Sequence, residues 1–136
     1  MKKVLFDTNI ILDIALKRNP HFDDASRLFE LIDKKIITGS ITASTITDIY
    51  YISKKEKGHN EALNFIINLI QVVDVVGIDR EVILNAIASD MKDFEDAVQV
   101  SAAKFNEIKI VITRNKSDFS ESTLEIFTPF EFLQKY

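Results

Sequence analysis

The chain has 136 residues, of which 46% are hydrophobic and 28% charged, a composition that predicts a single folded domain over residues 1–136. It contains no cysteine, which excludes disulfides, zinc–thiolate sites and cysteine nucleophiles and suits a reducing cytoplasm. The net charge of −4 argues against a broad basic face for nucleic acid, but allows acidic residues gathered in one place and neutralised by metal or by a basic partner.

The first half of the chain alternates short apolar runs with amphipathic segments. No run is long enough for a membrane span or a signal peptide. Asn19-Pro20, Gly39 and Gly58 are predicted to interrupt the regular elements. The periodicity predicts strands at 4–6 and 41–43, and helices at 10–16, at 23–35 and from a Ser44 or Thr45 N-cap to Lys57.

The second half continues the alternation. A helix over 60–70 is apolar on most sides, which predicts that it is buried or lies at an interface. The later elements are strands at 72–76, 110–112 and 125–127, helices at 80–89 and 94–106, and a short helix from Pro129. This order of elements predicts an α/β fold with a mostly parallel central sheet.

Polar residues directly follow two of the predicted strands. Asp7 follows the first strand, and the segment Thr113-Arg114-Asn115, with Asp118 slightly later, follows the strand at 110–112. Ligands of open parallel sheets bind outside the carboxyl ends of the strands. We therefore expect both segments to deliver acidic and amide groups to the same edge.

Two further places bring carboxylates to that edge. Asp96 lies in the first turn of the helix at 94–106, and Asp93 three residues earlier points to the same flank, about 60° away. Glu95 is expected on the other flank. Asp48 lies among isoleucines, where a carboxylate is costly to bury unless it is paired or ligates a metal.

Several carboxylates that converge would repel one another, and a divalent cation removes that repulsion. Oxygen ligands favour Mg²⁺ or Mn²⁺, and such an ion activates water and stabilises charge on a phosphoryl oxygen. Purely structural alternatives are that Asp7-Thr8-Asn9 is only a helix N-cap, and that Asp93 and Asp96 only complement the helix dipole. Agreement of four sites on one edge favours the metal site. Arg114, Lys116 and Asn9 are candidates to contact an RNA phosphate, although the two basic residues also suit a plain surface role.

The chain resembles the PIN-domain family, which includes the VapC toxins of bacterial toxin–antitoxin pairs. Four segments carry the resemblance, in an order and spacing that cover nearly the whole chain: Val4-Leu5-Phe6-Asp7-Thr8-Asn9-Ile10-Ile11-Leu12-Asp13, Ile41-Thr42-Ala43-Ser44-Thr45-Ile46-Thr47-Asp48-Ile49-Tyr50, Phe94-Glu95-Asp96-Ala97-Val98-Gln99 and Ile112-Thr113-Arg114-Asn115-Lys116-Ser117-Asp118-Phe119.

The resemblance implies a three-layer α/β/α sandwich and a ribonuclease site for single-stranded RNA that uses one or two Mg²⁺ or Mn²⁺ ions. Asp7, Asp48 and Asp96 match the family's first three acidic positions and would hold the metal, although the second is more often Glu. Thr113 matches the usual hydroxyl. Asn115 or Asp118 fills the fourth position, and Asp93 is a secondary acid.

The resulting prediction is an endoribonuclease that acts by hydrolysis and leaves a 5′-phosphate and a 3′-hydroxyl. The family resemblance also implies a homodimer and a cognate antitoxin, with the helix at 60–70 as a candidate contact. One alternative is a catalytically weak or inactive module that binds RNA or a partner protein. Another is a phosphotransfer or phosphatase domain with Asp7 as nucleophile, although Asn9 occupies the position where that chemistry expects a second aspartate.

Overall fold

The central feature of the molecule is a five-stranded parallel sheet, seen in a computed structural model that describes residues 1–120 and 122–136. Every pair of neighbouring strands runs parallel. The strands are β1 (Lys2–Phe6), β2 (Ile37–Thr42), β3 (Asp74–Val76), β4 (Ile110–Ile112) and β5 (Glu125–Phe127), in the spatial order β3-β2-β1-β4-β5.

The strand order places a topological switch point beside β1. The chain builds β2 and β3 outward on one side of β1, and then returns to add β4 and β5 on the other side. Ligands of doubly wound sheets bind where the strand order reverses, outside the carboxyl ends of the strands. The residues that follow β1 and β4 therefore occupy the favoured position for a site.

Helices cover both faces of the sheet. Within the described residues none of them is long and apolar enough to cross a membrane. They are α1 (Thr8–Ala15), α2 (Phe22–Asp33), α3 (Ala43–Lys57), α4 (His59–Leu69), α5 (Arg80–Ala88), α6 (Phe94–Phe105) and α7 (Pro129–Lys135), with a short 3₁₀ helix at Lys116–Phe119.

The side chains of β1 divide the core into two layers. Val4 and Phe6 are fully buried in a cluster with residues of α1, α2 and α7, whereas Leu5 is buried in a second cluster with residues of α5 and α6. This alternation follows from the two-residue repeat of a strand, which turns successive side chains to opposite faces. The predicted three-layer α/β/α fold with a parallel sheet is confirmed.

The predicted limits of β2 and of the following helix were wrong. Gly39 was interpreted as a break, but it lies inside β2. A side chain would not fit there, because a Cβ would come 2.5 Å from Phe6 Cε2 and 2.8 Å from Ile32 Cδ1. The N-cap of α3 is Thr42, whose hydroxyl accepts a hydrogen bond from the Thr45 N–H at 3.4 Å, and not Ser44 or Thr45. The strand therefore runs directly into the helix.

Helix α4 is only partly buried. It buries Ala62 and Leu69, while Leu63 and Ile67 are exposed, as is Ile70 at its C-cap. Large apolar side chains are thus left in solvent beside the exposed polar residues of this helix.

Candidate functional site

Asp7 lies at the end of the central strand, and three neighbours fix its carboxylate. Its Oδ1 accepts hydrogen bonds from the Thr8 N–H at 2.8 Å and from Nε2 of Gln99 at 3.2 Å. Its Oδ2 accepts from the Thr113 hydroxyl at 2.8 Å. Asp7 is the N-cap of α1, but its bonds also reach α6 and the end of β4. Capping therefore does not account for all of its contacts.

Thr113 connects Asp7 to the segment that follows β4. The threonine is fully buried, and its hydroxyl accepts a hydrogen bond from the Asn115 N–H at 3.1 Å while donating to Asp7. The Asp7 N–H also donates to the Ile112 carbonyl at 3.0 Å. The positions of Asp7 and Asn115 are thus coupled through one buried hydroxyl.

The N-terminus of α6 contributes three acidic residues. Asp93 is the N-cap, and its Oδ1 accepts from the Asp96 N–H at 2.9 Å. The expectation that Glu95 points to the other flank was wrong, because Glu95 lies with Asp93 and Asp96 around the same cavity. Counting 100° per residue misplaces Glu95 for two reasons. Asp93 has extended backbone angles outside the helix, and the longer Glu95 side chain reaches Asp48.

These elements surround an open cavity of about 390 Å³ at the carboxyl edge of the sheet. Amide side chains of Asn9, Gln99 and Asn115 form part of its wall. Six carboxylates line it, those of Asp7, Asp48, Asp93, Glu95, Asp96 and Asp118. The structure thus brings together the carboxylates of four segments that are far apart in sequence.

Crowding raises the pKa of two of these carboxyl groups. The pKa of Glu95 rises to about 7, first because of a hydrogen bond with the Asp48 carboxyl and then because of burial and the nearby negative charges. The pKa of Asp96 also rises to about 7, mainly because of its burial and then through the charges of Asp93, Asp7 and Asp118. Negative charge is therefore costly in this cavity.

The two basic residues beside the cavity are engaged in ion pairs. Arg114 donates from Nε to Asp13 at 2.9 Å and from Nη2 at 3.3 Å, and the Asp13 side chain is only 1% exposed. Lys116 lies 3.1 Å from Glu131. Neither side chain lines the acidic cavity, whereas Asn9 does. A phosphate contact by Arg114 or Lys116 would compete with these pairs.

The donor chemistry of the cavity fits a hard divalent cation such as Mg²⁺ or Mn²⁺. All its charged donors are carboxylates, and Oε1 of the buried Gln99 has no hydrogen-bond partner in the part of the chain that the structure describes. Within residues 1–120 and 122–136, no three histidine, cysteine or acidic side chains are already arranged to hold a metal ion. Mg²⁺ commonly keeps several waters, which can bridge such gaps.

Sequence reasoning did not single out Gln99 or Asp13. Gln99 is a polar residue on the small, apolar side of α6, and Asp13 interrupts the apolar run of α1. A polar residue on a buried face indicates a specific partner, because an unpaired polar group there is costly. That observation was available in the sequence, although it does not name the partner.

Comparisons with known proteins find relatives over nearly the whole chain. The family model described as PIN domain matches residues 3–117. Ribonuclease VapC1 of Aquifex aeolicus is 25% identical over 99% of this chain and 96% of its own length.

Solved structures show the same fold. VapBC2 from Rickettsia felis, bound to a DNA fragment from its promoter, superposes with a TM-score of 0.74 at 15% identity, over 93% of this chain and 98% of the other. A toxin–antitoxin complex from Klebsiella pneumoniae gives a TM-score of 0.70 at 21% identity, over 94% and 98%.

Proposed function

The chain belongs to the PIN-domain family, and on that premise we propose that it is a metal-dependent endoribonuclease that hydrolyses single-stranded RNA. The observation that carries the proposal is the convergence of Asp7, Asp48, Asp96 and Asp118 on one open cavity at the switch point of the sheet. The name of the Aquifex aeolicus relative supports the same activity.

In this proposal Asp7, Asp48 and Asp96 hold one Mg²⁺ or Mn²⁺, directly or through water. When bound, the ion lowers the pKa of a water molecule and stabilises charge on the scissile phosphate. Thr113 and Gln99 keep the Asp7 carboxylate in place through their hydrogen bonds. The products are a 5′-phosphate and a 3′-hydroxyl.

The fourth acidic position belongs to Asn115 or Asp118, and both line the cavity. Asn115 offers a neutral amide, whereas Asp118 adds a charge that already raises the pKa of Asp96. We propose that one of them orients the attacking water or helps to hold a second ion. Asp93 has a cap bond to the Asp96 N–H and therefore supports Asp96.

We also propose that the protein is the toxin of a toxin–antitoxin pair and forms a homodimer. The toxin–antitoxin complexes among its structural relatives support this assignment. The exposed apolar side chains Leu63, Ile67 and Ile70 are the candidate surface for the second copy or for the antitoxin. Size-exclusion chromatography with light scattering tests the dimer, and a monomer at micromolar concentration would reject it.

The rival function is a binding module that holds RNA or a partner protein without cutting, and the neutral Asn115 among acidic residues favours it. The two functions are separated by cleavage of a mixed-sequence RNA in Mn²⁺ and in EDTA, followed by analysis of the product ends. The nuclease gives 5′-phosphate ends in Mn²⁺ only. Uncut RNA together with no Mn²⁺ binding in calorimetry would favour the module.

A further inference from the structure

A second cavity lies beside the acidic one, between α2, α7 and the segment that follows β4. It measures about 220 Å³, and Arg114, His21, Pro129 and Phe130 form much of its wall. Phe130 is 62% exposed, although the neighbouring Phe132 on the same helix is fully buried. A large aromatic ring is thus left in solvent at the rim of a concave surface.

The ion pair with Asp13 fixes the orientation of the Arg114 guanidinium at this cavity. Nε and Nη2 of Arg114 are bound to Asp13, and the arginine side chain is 25% exposed. Its Nη1 makes no hydrogen bond within residues 1–120 and 122–136, and the side chain lines the cavity wall. A guanidinium held in this way loses little conformational entropy on binding, because its orientation is already fixed.

The wall chemistry suits a flat ring with polar edges. Proteins hold the splayed bases of single-stranded RNA by stacking them on aromatic rings and guanidinium planes and by bonding their edges. Phe130 and Arg114 offer such surfaces, and His21, Asp24 and Thr128 add polar groups. The volume lies below the roughly 300 Å³ at which pockets for drug-sized ligands begin, which suits a single ring system.

The two cavities are joined through the backbone. Arg114 lines the smaller cavity, and the next residue, Asn115, lines the acidic one. Consecutive Cα atoms are about 3.8 Å apart, so one short segment supplies a wall to both cavities. This arrangement suits an RNA strand that places a phosphate in the acidic cavity and a neighbouring base in the second.

We propose that the cavity formed by His21, Arg114, Pro129 and Phe130 binds a nucleobase next to the scissile phosphate and thereby selects the cleavage sequence. This inference rests on the proposed nuclease function for its biological meaning. The binding itself can be measured without cleavage.

The test compares the affinities of fluorescein-labelled single-stranded RNA for Phe130→Ala, Phe130→Trp and Phe105→Ala. All are made in the Asp96→Asn background, which keeps the RNA intact, and anisotropy is read in Mn²⁺. Phe105 is the matched control, since it is 55% exposed and lies at the opposite end of α6 from the acidic cavity. Because Phe130 is largely exposed, its replacement leaves the fold intact, which a melting curve verifies.

We expect Phe130→Ala to weaken binding at least about fivefold, since loss of base stacking costs that much or more. Phe130→Trp should keep the affinity, and Phe105→Ala should leave it unchanged. Replacing the bases of the RNA one at a time by abasic sites should identify one position at which Phe130→Ala has no further effect.

Equal affinities of the Phe130→Ala and Phe105→Ala proteins, or no RNA binding at all, would overturn the base site. Cleavage by the protein with Asp96 intact is assayed on the same RNA. Binding that depends on Phe130 without any cleavage would refute the nuclease and keep the base site. If Phe130→Ala changes neither the rate nor the sequence preference of cleavage, the base site would be refuted and the nuclease function kept.

Discussion

Arg114 and Asp13 form a partly buried ion pair across 101 positions of sequence, with Nε and Nη2 of the guanidinium bound to the two carboxylate oxygens. The pair connects the end of α1 to the segment after β4, and the bond between Thr113 and Asp7 connects the start of the same helix to that segment. Two adjacent residues, Thr113 and Arg114, thus bind the two ends of α1, and we call this pair of contacts the clamp. The clamp holds one wall of the acidic cavity in position.

Removing the charge of Asp13 should destabilise the protein. The variant Asp13→Asn leaves the guanidinium with a weaker acceptor, and we expect a loss of about 2 kcal/mol in the free energy of unfolding, because Arg114 can partly rehydrate. Asp24→Asn is the control, since that carboxylate lies 3.8 Å from Arg27 in an exposed pair worth less than about 0.5 kcal/mol. Equal urea midpoints for the two variants would contradict a structural role for the clamp.

Gln99→Leu should weaken metal binding while leaving the fold intact. The change removes one of the three hydrogen bonds that hold the Asp7 carboxylate, and it also removes the unpartnered Oε1 from the cavity wall. Loss of a supporting bond to a ligand commonly costs 10- to 100-fold in metal affinity, so we expect roughly tenfold weaker Mn²⁺ binding in calorimetry. Gln71→Leu, at an exposed position, is the control. Unchanged affinity in Gln99→Leu would show that Gln99 does not support a metal ligand.

The metal-free protein should lose stability as the pH rises from about 4 to about 7. The pKa values of Glu95 and Asp96 are raised to about 7, so over this range the folded state holds protons that the unfolded state has released. Stability falls with pH wherever the folded state binds more protons. Melting curves at several pH values test this, and Asp96→Asn should flatten the slope. A steeper slope in that variant would contradict the assignment.

Added Mn²⁺ should raise the melting temperature more at pH 8 than at pH 5.5, because the ion binds the ionised carboxylates. Equal shifts at the two pH values would argue that the ion binds elsewhere.

Gly39→Ala should be destabilising although the new side chain is small. Its Cβ would collide with the buried Phe6 and with Ile32, and overpacking of a core costs about 1–3 kcal/mol. Gly77→Ala is the matched control, because no atom of the described residues lies within 4 Å of a Cβ at that position. A Gly39→Ala protein as stable as the Gly77→Ala protein would mean that β1 and β2 are packed differently.

The residue pattern was sufficient to predict an α/β fold with a mostly parallel sheet and the edge of the sheet that carries the cavity, whereas the three layers were implied by the family resemblance. Short apolar runs and amphipathic helices have different periods, and polar residues directly after a strand must lie at its carboxyl end. Asp7, Asn115 and Asp118 could therefore be placed near one another before any coordinates were known. Whether each of them acts in catalysis stays a prediction.

Contacts between distant segments could not be predicted. The partner of Arg114 is Asp13, and no local pattern relates the two positions. Glu95 was placed on the wrong flank because the count assumed that Asp93 is helical, whereas it caps the helix from outside. Gly39 resembled a turn because the sequence does not reveal how closely Phe6 approaches it.

The most direct test of the account is cleavage of a mixed-sequence single-stranded RNA in Mn²⁺ by wild type, Asp96→Asn and Asp33→Asn. Asp33 is an exposed residue at the end of α2 and controls for the loss of one carboxylate. We expect cleavage by wild type and by Asp33→Asn, and loss of cleavage in Asp96→Asn and in EDTA. Equal activity of Asp96→Asn and wild type would contradict a nuclease site at this edge of the sheet.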